Sequence, residues 1–280
     1  MSEGGAPKRL EVAGGTIAYD ELGHGTPIVL LHEAIADRRM WEREFHRLGR
    51  EHRVVRYDLR GYGASAPATA AYSPVTDLAT LIDRLGLERP LIVGASAGGG
   101  IALDLALAHP NRVGALLLVA PGYSGMDYDH VPGGKATFER DETLSKAAAD
   151  AWSAGRTDEA IEQLRRLWAS TLTGRELELF RTMVRDNAPE VFEDRSARHA
   201  TREGAPAAGR LGEIRAPTLI VVGDRDNPAM PHLANFLGRG IPGAKVRLVA
   251  GADHLLNLSR PDAFDAAVAE ALAARARAVR

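Results

Sequence analysis

Six short runs of aliphatic and β-branched residues, separated by stretches with helical periodicity, constrain the fold of this chain more than any other feature. Runs of this kind are typical of strands that are buried on both faces of a sheet. They cover Ile28–Leu31, Arg53–Tyr57, Leu91–Val93, Ala115–Val119, Thr218–Val222 and Lys245–Val249. Because alternating strands and helices join parallel strands, the pattern predicts an α/β fold with a mainly parallel β-sheet flanked by helices.

The stretches between the strands carry the usual signals of helix ends. Asp37 precedes an apolar repeat at Trp41, Phe45 and Leu48 and is expected to cap that helix. Further helices are predicted between the cap Ser73-Pro74 and Gly86, between Ser96 and Pro110, and after Pro261, where Arg275, Arg277 and Arg280 lie near the C-terminal end.

The alternation breaks between about Gly122 and Ala208, where the sequence shows helical spacing and no strand pattern. The apolar repeats there are Ile161, Leu164 and Trp168 after the expected cap Thr157, and then Leu177, Phe180 and Val184. We therefore predict a core domain formed by residues 1–121 and 209–280, into which residues 122–208 are inserted as a helical cap.

Charge and residue types exclude several classes of function. A formal net charge of -2 provides no field that would hold nucleic acid or an anionic membrane. No apolar run approaches the roughly 20 residues of a membrane span, and no secretory signal is found at the N-terminus. The chain has no cysteine, which excludes thiolate metal sites and a cysteine nucleophile. We expect a cytoplasmic protein with a small-molecule partner, and its oligomeric state is left open.

The segment IVGASAGGG, residues 92–100, places Ser96 between Gly94 and Gly98, after a predicted strand and before a predicted helix. A serine at such a turn is held in a strained conformation that presents its hydroxyl above the sheet. Two other interpretations use the same residues: a turn that needs only small side chains, and a phosphate-binding loop. The glycine spacing resembles the cofactor loop of short-chain dehydrogenases. However, at least two strand candidates precede the loop, and no tyrosine has the lysine four residues later that this family requires.

Acidic and basic partners for a serine nucleophile follow the last two predicted strands. Asp224 and Asp226 come directly after one strand, and His254 comes after the next. Ligands and catalytic residues of open parallel sheets gather outside the carboxyl ends of the strands, so these side chains are expected to meet Ser96 at one edge. A serine hydroxyl needs a base that takes its proton and a carboxylate that orients this base. The order Ser…Asp…His therefore predicts a catalytic triad.

With these motifs in place, the sequence resembles the α/β-hydrolase family over nearly its whole length. The resemblance rests on TPIVLLHEA, VVRYDLRGYGASAP, IVGASAGGG, PTLIVVGDRD and GADHLLNLSRPDAF. It implies Ser96 as nucleophile, His254 as general base and the second aspartate of the G-D-x-D segment, Asp226, as triad acid. It also implies an oxyanion hole formed by the backbone amides of Ala97 and Ala34. Neither a metal nor an organic cofactor is implied.

The sequence departs from the family at Glu33, where a glycine usually follows the histidine. We expect the Glu33 carboxylate to point away from Ser96 and to pair with Arg38 or Arg39. The alternative is a carboxylate that faces the substrate pocket with a raised pKa. The cap supplies further pocket candidates, which their helical spacing fits equally well as cap core: Trp152, Trp168, Phe180 and Met183.

The function expected from these residues is hydrolysis of a small to medium ester, lactone or thioester through an acyl-enzyme. Serine at the elbow disfavours haloalkane dehalogenases and epoxide hydrolases, which use aspartate there. The alternatives are a C–C bond hydrolase or lyase with the same triad, and a ligand-binding receptor that turns over negligibly. Fold alone does not separate these possibilities.

Overall fold

The computed structural model describes residues 6–126, 134–193 and 195–279, which form an eight-stranded sheet with helices on both faces. The strands lie in the order β1-β2-β4-β3-β5-β6-β7-β8. Only β2 runs against the others, since it pairs antiparallel with β1 and β4 while the remaining pairs are parallel. The strands are β1 (Lys8–Val12), β2 (Gly15–Leu22), β3 (Pro27–Leu31), β4 (Arg53–Tyr57), β5 (Leu91–Ala95), β6 (Ala115–Val119), β7 (Thr218–Gly223) and β8 (Lys245–Val249). The predicted fold class is confirmed.

The two N-terminal strands are the part of the sheet that the apolar runs did not predict. β1 and β2 form a hairpin at the edge of the sheet, and β1 exposes or half-exposes every residue. Such a strand needs no continuous apolar run, because one face and one edge remain in contact with solvent.

Ten α-helices are found in the described residues. They are α1 (Glu42–Leu48), α2 (Pro74–Arg84), α3 (Ala97–Ala108), α4 (Gly134–Ser153), α5 (Thr157–Trp168), α6 (Gly174–Asp186), α7 (Ala188–Glu193), α8 (Met230–Gly240), α9 (Leu256–Ser259) and α10 (Pro261–Ala278). Helices α2, α3 and α8 pack on one face of the sheet, whereas α1 and α10 pack on the other. No helix in these ranges is long and apolar enough to cross a membrane.

Most of the expected caps are present. The Ser73 side chain accepts a hydrogen bond from the amide of Thr76 and caps α2. The Asp37 side chain accepts one from the amide of Arg39, but it caps a short 3-10 helix, Arg38–Trp41, that precedes α1. Thr157 is a correction: it is the first residue of α5, and the capping position is held by Arg156 without a side-chain hydrogen bond. The predicted C-terminal arginine Arg280 lies outside the described residues.

The described part of the segment between β6 and β7 contains the helices α4 to α7, loops and short 3-10 turns, and no strand. Asn187, at the end of α6, attaches it to the sheet domain. Its Nδ2 donates to Oδ2 of Asp37 at 2.8 Å, and its Oδ1 accepts from the amide of Gly63 at 2.7 Å. Asn187 therefore connects this segment to the loops that follow β3 and β4.

Candidate active site

Ser96 occupies the sharp turn between β5 and α3. Its φ of 46° and ψ of -111° lie outside the regions that residues with side chains prefer. The flanking glycines permit this turn: a β-carbon on Gly94 would lie 2.5 Å from the Gly98 carbonyl oxygen, and one on Gly98 would lie 2.7 Å from the His32 carbonyl oxygen. Strain of this kind persists where the surrounding structure enforces it, and it is common at functional sites. Ser96 remains partly exposed at the carboxyl edge of the sheet.

His254 and Asp226 form a buried pair at the same edge. The Nδ1 atom of His254 lies 3.0 Å from both carboxylate oxygens of Asp226, and the two residues are only 4% and 8% exposed. Because Nδ1 donates its proton to this carboxylate, Nε2 is the nitrogen left for proton transfer. Burial alone would lower the pKa of His254, but the Asp226 charge and hydrogen bond outweigh it and raise the pKa to about 9.

The two aspartates after β7 have different roles. Asp224 is exposed, and its Oδ1 accepts a hydrogen bond of 2.6 Å from the amide of Gly251. Asp226 is buried and held by the amide of Asn227, which donates to its Oδ1 at 2.7 Å. Of these two aspartates, only Asp226 is hydrogen-bonded to the His254 ring. The geometry thus separates a turn-capping aspartate from one that orients the histidine.

The Ser96 hydroxyl is not hydrogen-bonded to His254 in the described part of the chain. Catalytic hydrogen bonds are often long without substrate and tighten in the complex, so the lack of this bond does not by itself remove Ser96 from the site. The structure places all three residues after strands of the same parallel sheet, β5, β7 and β8.

The two residues whose amides are expected to hold an oxyanion line the same small cavity. Ala34 and Ala97 both line this cavity, whose volume is about 140 Å³. Neither amide donates a hydrogen bond within the described residues. The loop of residues 32–36, which we call the β3 loop, is fixed by the Tyr62 hydroxyl, which donates to the Ala34 carbonyl at 2.8 Å. Two unused donors at a helix N-terminus and an adjoining loop are what oxyanion stabilisation requires.

The expectation that Glu33 pairs with Arg38 or Arg39 is wrong. Arg38 is bound by Asp20 and Asp58, and Arg39 is bound by Asp37 and Asp186. The Glu33 carboxylate is turned toward His254 instead, with its Oε2 3.8 Å from Nε2, and the residue is 1% exposed. Neither of its carboxylate oxygens has a hydrogen-bond partner among the described residues. Burial raises the pKa of Glu33 to about 7, although the His254 charge opposes this.

The cap candidates separate into one residue that reaches the site and three that do not. Trp168 packs against His254 with ring centroids 4.6 Å apart, and its carbonyl oxygen accepts from the His254 amide at 3.2 Å. Trp152 stacks on Phe192 within the helical segment. Phe180 and Met183 have no exposed surface and belong to packed clusters, so they cannot form a pocket wall in this conformation. Helical spacing correctly placed Phe180 and Met183 on an apolar face of a helix, but this face is buried in the protein core.

Asp253 is a site residue that the sequence interpretation missed. Its Oδ2 accepts hydrogen bonds from the amide and hydroxyl of Thr171, at 2.9 and 2.8 Å. These bonds connect the turn between α5 and α6 to the loop after β8 that carries His254. Its Oδ1 is buried without a hydrogen-bond partner among the described residues. The signal was present in the sequence, since an acidic residue directly precedes His254.

Comparisons with known proteins agree with this architecture. The model of the alpha/beta hydrolase family matches residues 22–267. A 2-hydroxy-6-oxononadienedioate/2-hydroxy-6-oxononatrienedioate hydrolase of Pseudomonas putida is 29% identical over 269 residues, which cover 91% of this chain and 90% of the relative.

Two solved structures of lactone-degrading enzymes are similar to this one. An enzyme that degrades N-acyl homoserine lactones is 27% identical, with a TM-score of 0.75 and coverage of 94% of this chain and 99% of that chain. The enol-lactonase of Burkholderia xenovorans LB400 is 25% identical, with a TM-score of 0.73 and coverage of 95% and 100%. The family model spans most of the chain and the relatives are hydrolases: this chain is a hydrolase that belongs to the alpha/beta hydrolase family.

Proposed function

We propose that this protein is a serine hydrolase that cleaves a small to medium carboxylic ester, lactone or thioester through an acyl-enzyme. The observation that carries the proposal is the buried hydrogen bond between His254 and Asp226, at the sheet edge where Ser96 occupies a strained turn. A buried imidazole oriented by a carboxylate is the base that a serine nucleophile needs. We assign to α4–α7, which lie in the insertion predicted from the sequence, the role of a cap over this edge.

The reaction proceeds in two acyl-transfer steps. Ser96 Oγ attacks the carbonyl carbon while Nε2 of His254 takes its proton, and the amides of Ala34 and Ala97 stabilise the oxyanion. His254 then returns the proton to the leaving group. Water attacks the acyl-enzyme by the same sequence, with His254 again as base. Asp226 keeps Nδ1 protonated and stabilises the imidazolium that forms in each step.

The cavity beside the two oxyanion amides accommodates the acyl group. Its volume of about 140 Å³ suits a short acyl chain, and its lining includes Leu59, Ile101 and Tyr62. The likeness to two lactone-degrading enzymes supports a lactone or ester carbonyl as the reacting group.

The electrostatics of the site disfavour a C–C hydrolase that acts on dianionic substrates. The relative from Pseudomonas putida is named for dioate substrates, which carry two carboxylates. In this chain the buried Glu33 and Asp253 lie beside the catalytic histidine, and the only basic group acting on Glu33 within the described residues is His254. A dianionic substrate would be repelled, whereas a neutral ester or lactone would not.

Stopped-flow kinetics with p-nitrophenyl acetate test the proposal. We expect a burst of p-nitrophenol equal to the concentration of enzyme, because the good leaving group makes acylation faster than hydrolysis of the acyl-enzyme. Sustained turnover should follow, because deacylation uses the same residues. Ser96→Ala should abolish both phases. A single slow turnover would favour a receptor over an enzyme, and a burst that persists in Ser96→Ala would remove Ser96 from the mechanism.

A further inference from the structure

The β3 loop fixes the direction in which Glu33 points. The buried His32 ring accepts a hydrogen bond from the Leu59 amide at Nε2, at 2.9 Å, so its Nδ1 donates to the Glu33 carbonyl oxygen, at 2.8 Å. The amide of Ala36 also donates to this oxygen, at 3.2 Å. With its backbone held by these bonds, Glu33 directs its carboxylate toward His254.

The two nitrogens of His254 consequently face one carboxylate each. Asp226 binds Nδ1, and Glu33 lies 3.8 Å from Nε2, which is the nitrogen that must receive the Ser96 proton. A neutral imidazole that donates from Nδ1 presents a lone pair at Nε2, and an ionised Glu33 opposes that lone pair. A proton placed between them converts the repulsion into attraction.

No other group offsets the Glu33 charge in the described part of the chain. The charges that act on it are those of His254, Asp226 and Asp253, and both of its oxygens lack hydrogen bonds. The carboxylates that raise the pKa of His254 are those of Asp226, Glu33 and Asp253, with Asp226 first. An unpaired buried carboxylate is costly unless it is protonated or lies beside a cation, and here the imidazolium is the available cation.

Resting on the proposed function, we infer that Glu33 is a positioning residue for proton transfer: it retains a proton at Nε2 of the resting histidine and makes the imidazole a stronger base once that proton has left. The retained proton passes to solvent as the pH rises. The Ser96 proton then moves to the vacant Nε2 while Oγ bonds to the carbonyl carbon and the carbonyl π electrons move to oxygen. The resulting imidazolium lies between two carboxylates, and a stronger base transfers the proton more readily.

The pH dependence of Ser96 phosphonylation by a fluorophosphonate tests this inference, because fluoride departs without needing an acid. We expect the second-order rate constant of the natural protein to rise with a midpoint at about 9. In Glu33→Gln the midpoint should fall by about 1–3 pH units, because the variant lacks the negative charge beside the His254 imidazole. Its alkaline plateau should drop about threefold or more, because the weaker base is less effective. The two profiles should therefore cross.

A merely structural role for Glu33 would lower the rate at every pH without moving the midpoint. Glu44→Gln is the matched control, since it removes a buried carboxylate that lies on α1 and pairs with Arg43. It should leave the midpoint unchanged. Two pH profiles that do not cross would overturn the inference. A midpoint below about 7.5 in the natural protein would also overturn it, and this second test needs no variant. Absence of Ser96 labelling at every pH would instead overturn the proposed function, and this inference with it.

Discussion

Replacement of Glu33 by glutamine should make the protein more stable at alkaline pH. Folding raises the pKa of this carboxyl from 4.5 to about 7, chiefly by burial. At 1.36 kcal/mol per pH unit, this difference amounts to about 3 kcal/mol. The folded state binds the proton more tightly than the unfolded state, so stability is lost as the pH rises through the interval from 4.5 to about 7. Glutamine has the same shape and no charge to bury.

Urea unfolding monitored by circular dichroism measures the effect. We expect Glu33→Gln to exceed the natural protein in free energy of unfolding by about 3 kcal/mol at pH 8, and by less than about 1 kcal/mol at pH 4.5. Glu21→Gln is a control of opposite sign, because Arg53 and Lys8 hold the pKa of Glu21 below its usual value against the effect of burial. Glu21→Gln should lower the free energy of unfolding by less than about 1 kcal/mol at pH 8, because the ion pair between Lys8 and Glu21 is partly exposed. Equal stability of Glu33→Gln and the natural protein at pH 8 would refute a buried, unpaired carboxylate.

Two further substitutions test the site geometry. Asp226→Asn should lower kcat by about 10⁴, whereas Asp224→Asn should stay within about tenfold because that side chain only caps a turn; steady-state kinetics that show comparable losses would contradict this assignment. Gly98→Ala should lower the free energy of unfolding by about 1–3 kcal/mol, because its β-carbon would lie 2.7 Å from backbone of the β3 loop. The control Gly212→Ala has nothing within 4 Å, and an equal loss in both variants would rule out the close approach as the cause.

The triad candidates could be predicted from the sequence because each depends on local pattern. Parallel strands that are buried on both faces appear in the sequence as apolar runs, and the residues that follow them meet at one edge of the sheet. Ser96 and Asp226 follow such runs, and His254 follows the edge strand β8, which is only partly buried. The N-terminal hairpin lacks this signal, because β1 is exposed or half-exposed throughout and β2 has only three consecutive buried residues.

The orientation of Glu33 could not be predicted, because it depends on residues distant in the chain. His32 is held by the Leu59 amide, and Ala34 is held by the Tyr62 hydroxyl, so the β3 loop takes its shape from a second loop. The nearby arginines were the obvious partners by sequence distance, but aspartates from other elements bind them. Phe180 shows the same limit: helical spacing identifies an apolar face but not what packs against it.

The most direct test of the account is the site of fluorophosphonate labelling, read by mass spectrometry of the digested protein at pH 9. We predict one adduct per chain, on the peptide that contains Ser96, because this serine combines the strained turn with a base oriented by Asp226. Ser96→Ala should carry no adduct while retaining its circular dichroism spectrum. An adduct on another residue of the natural protein, or full labelling of Ser96→Ala, would contradict the assignment of Ser96 as the nucleophile.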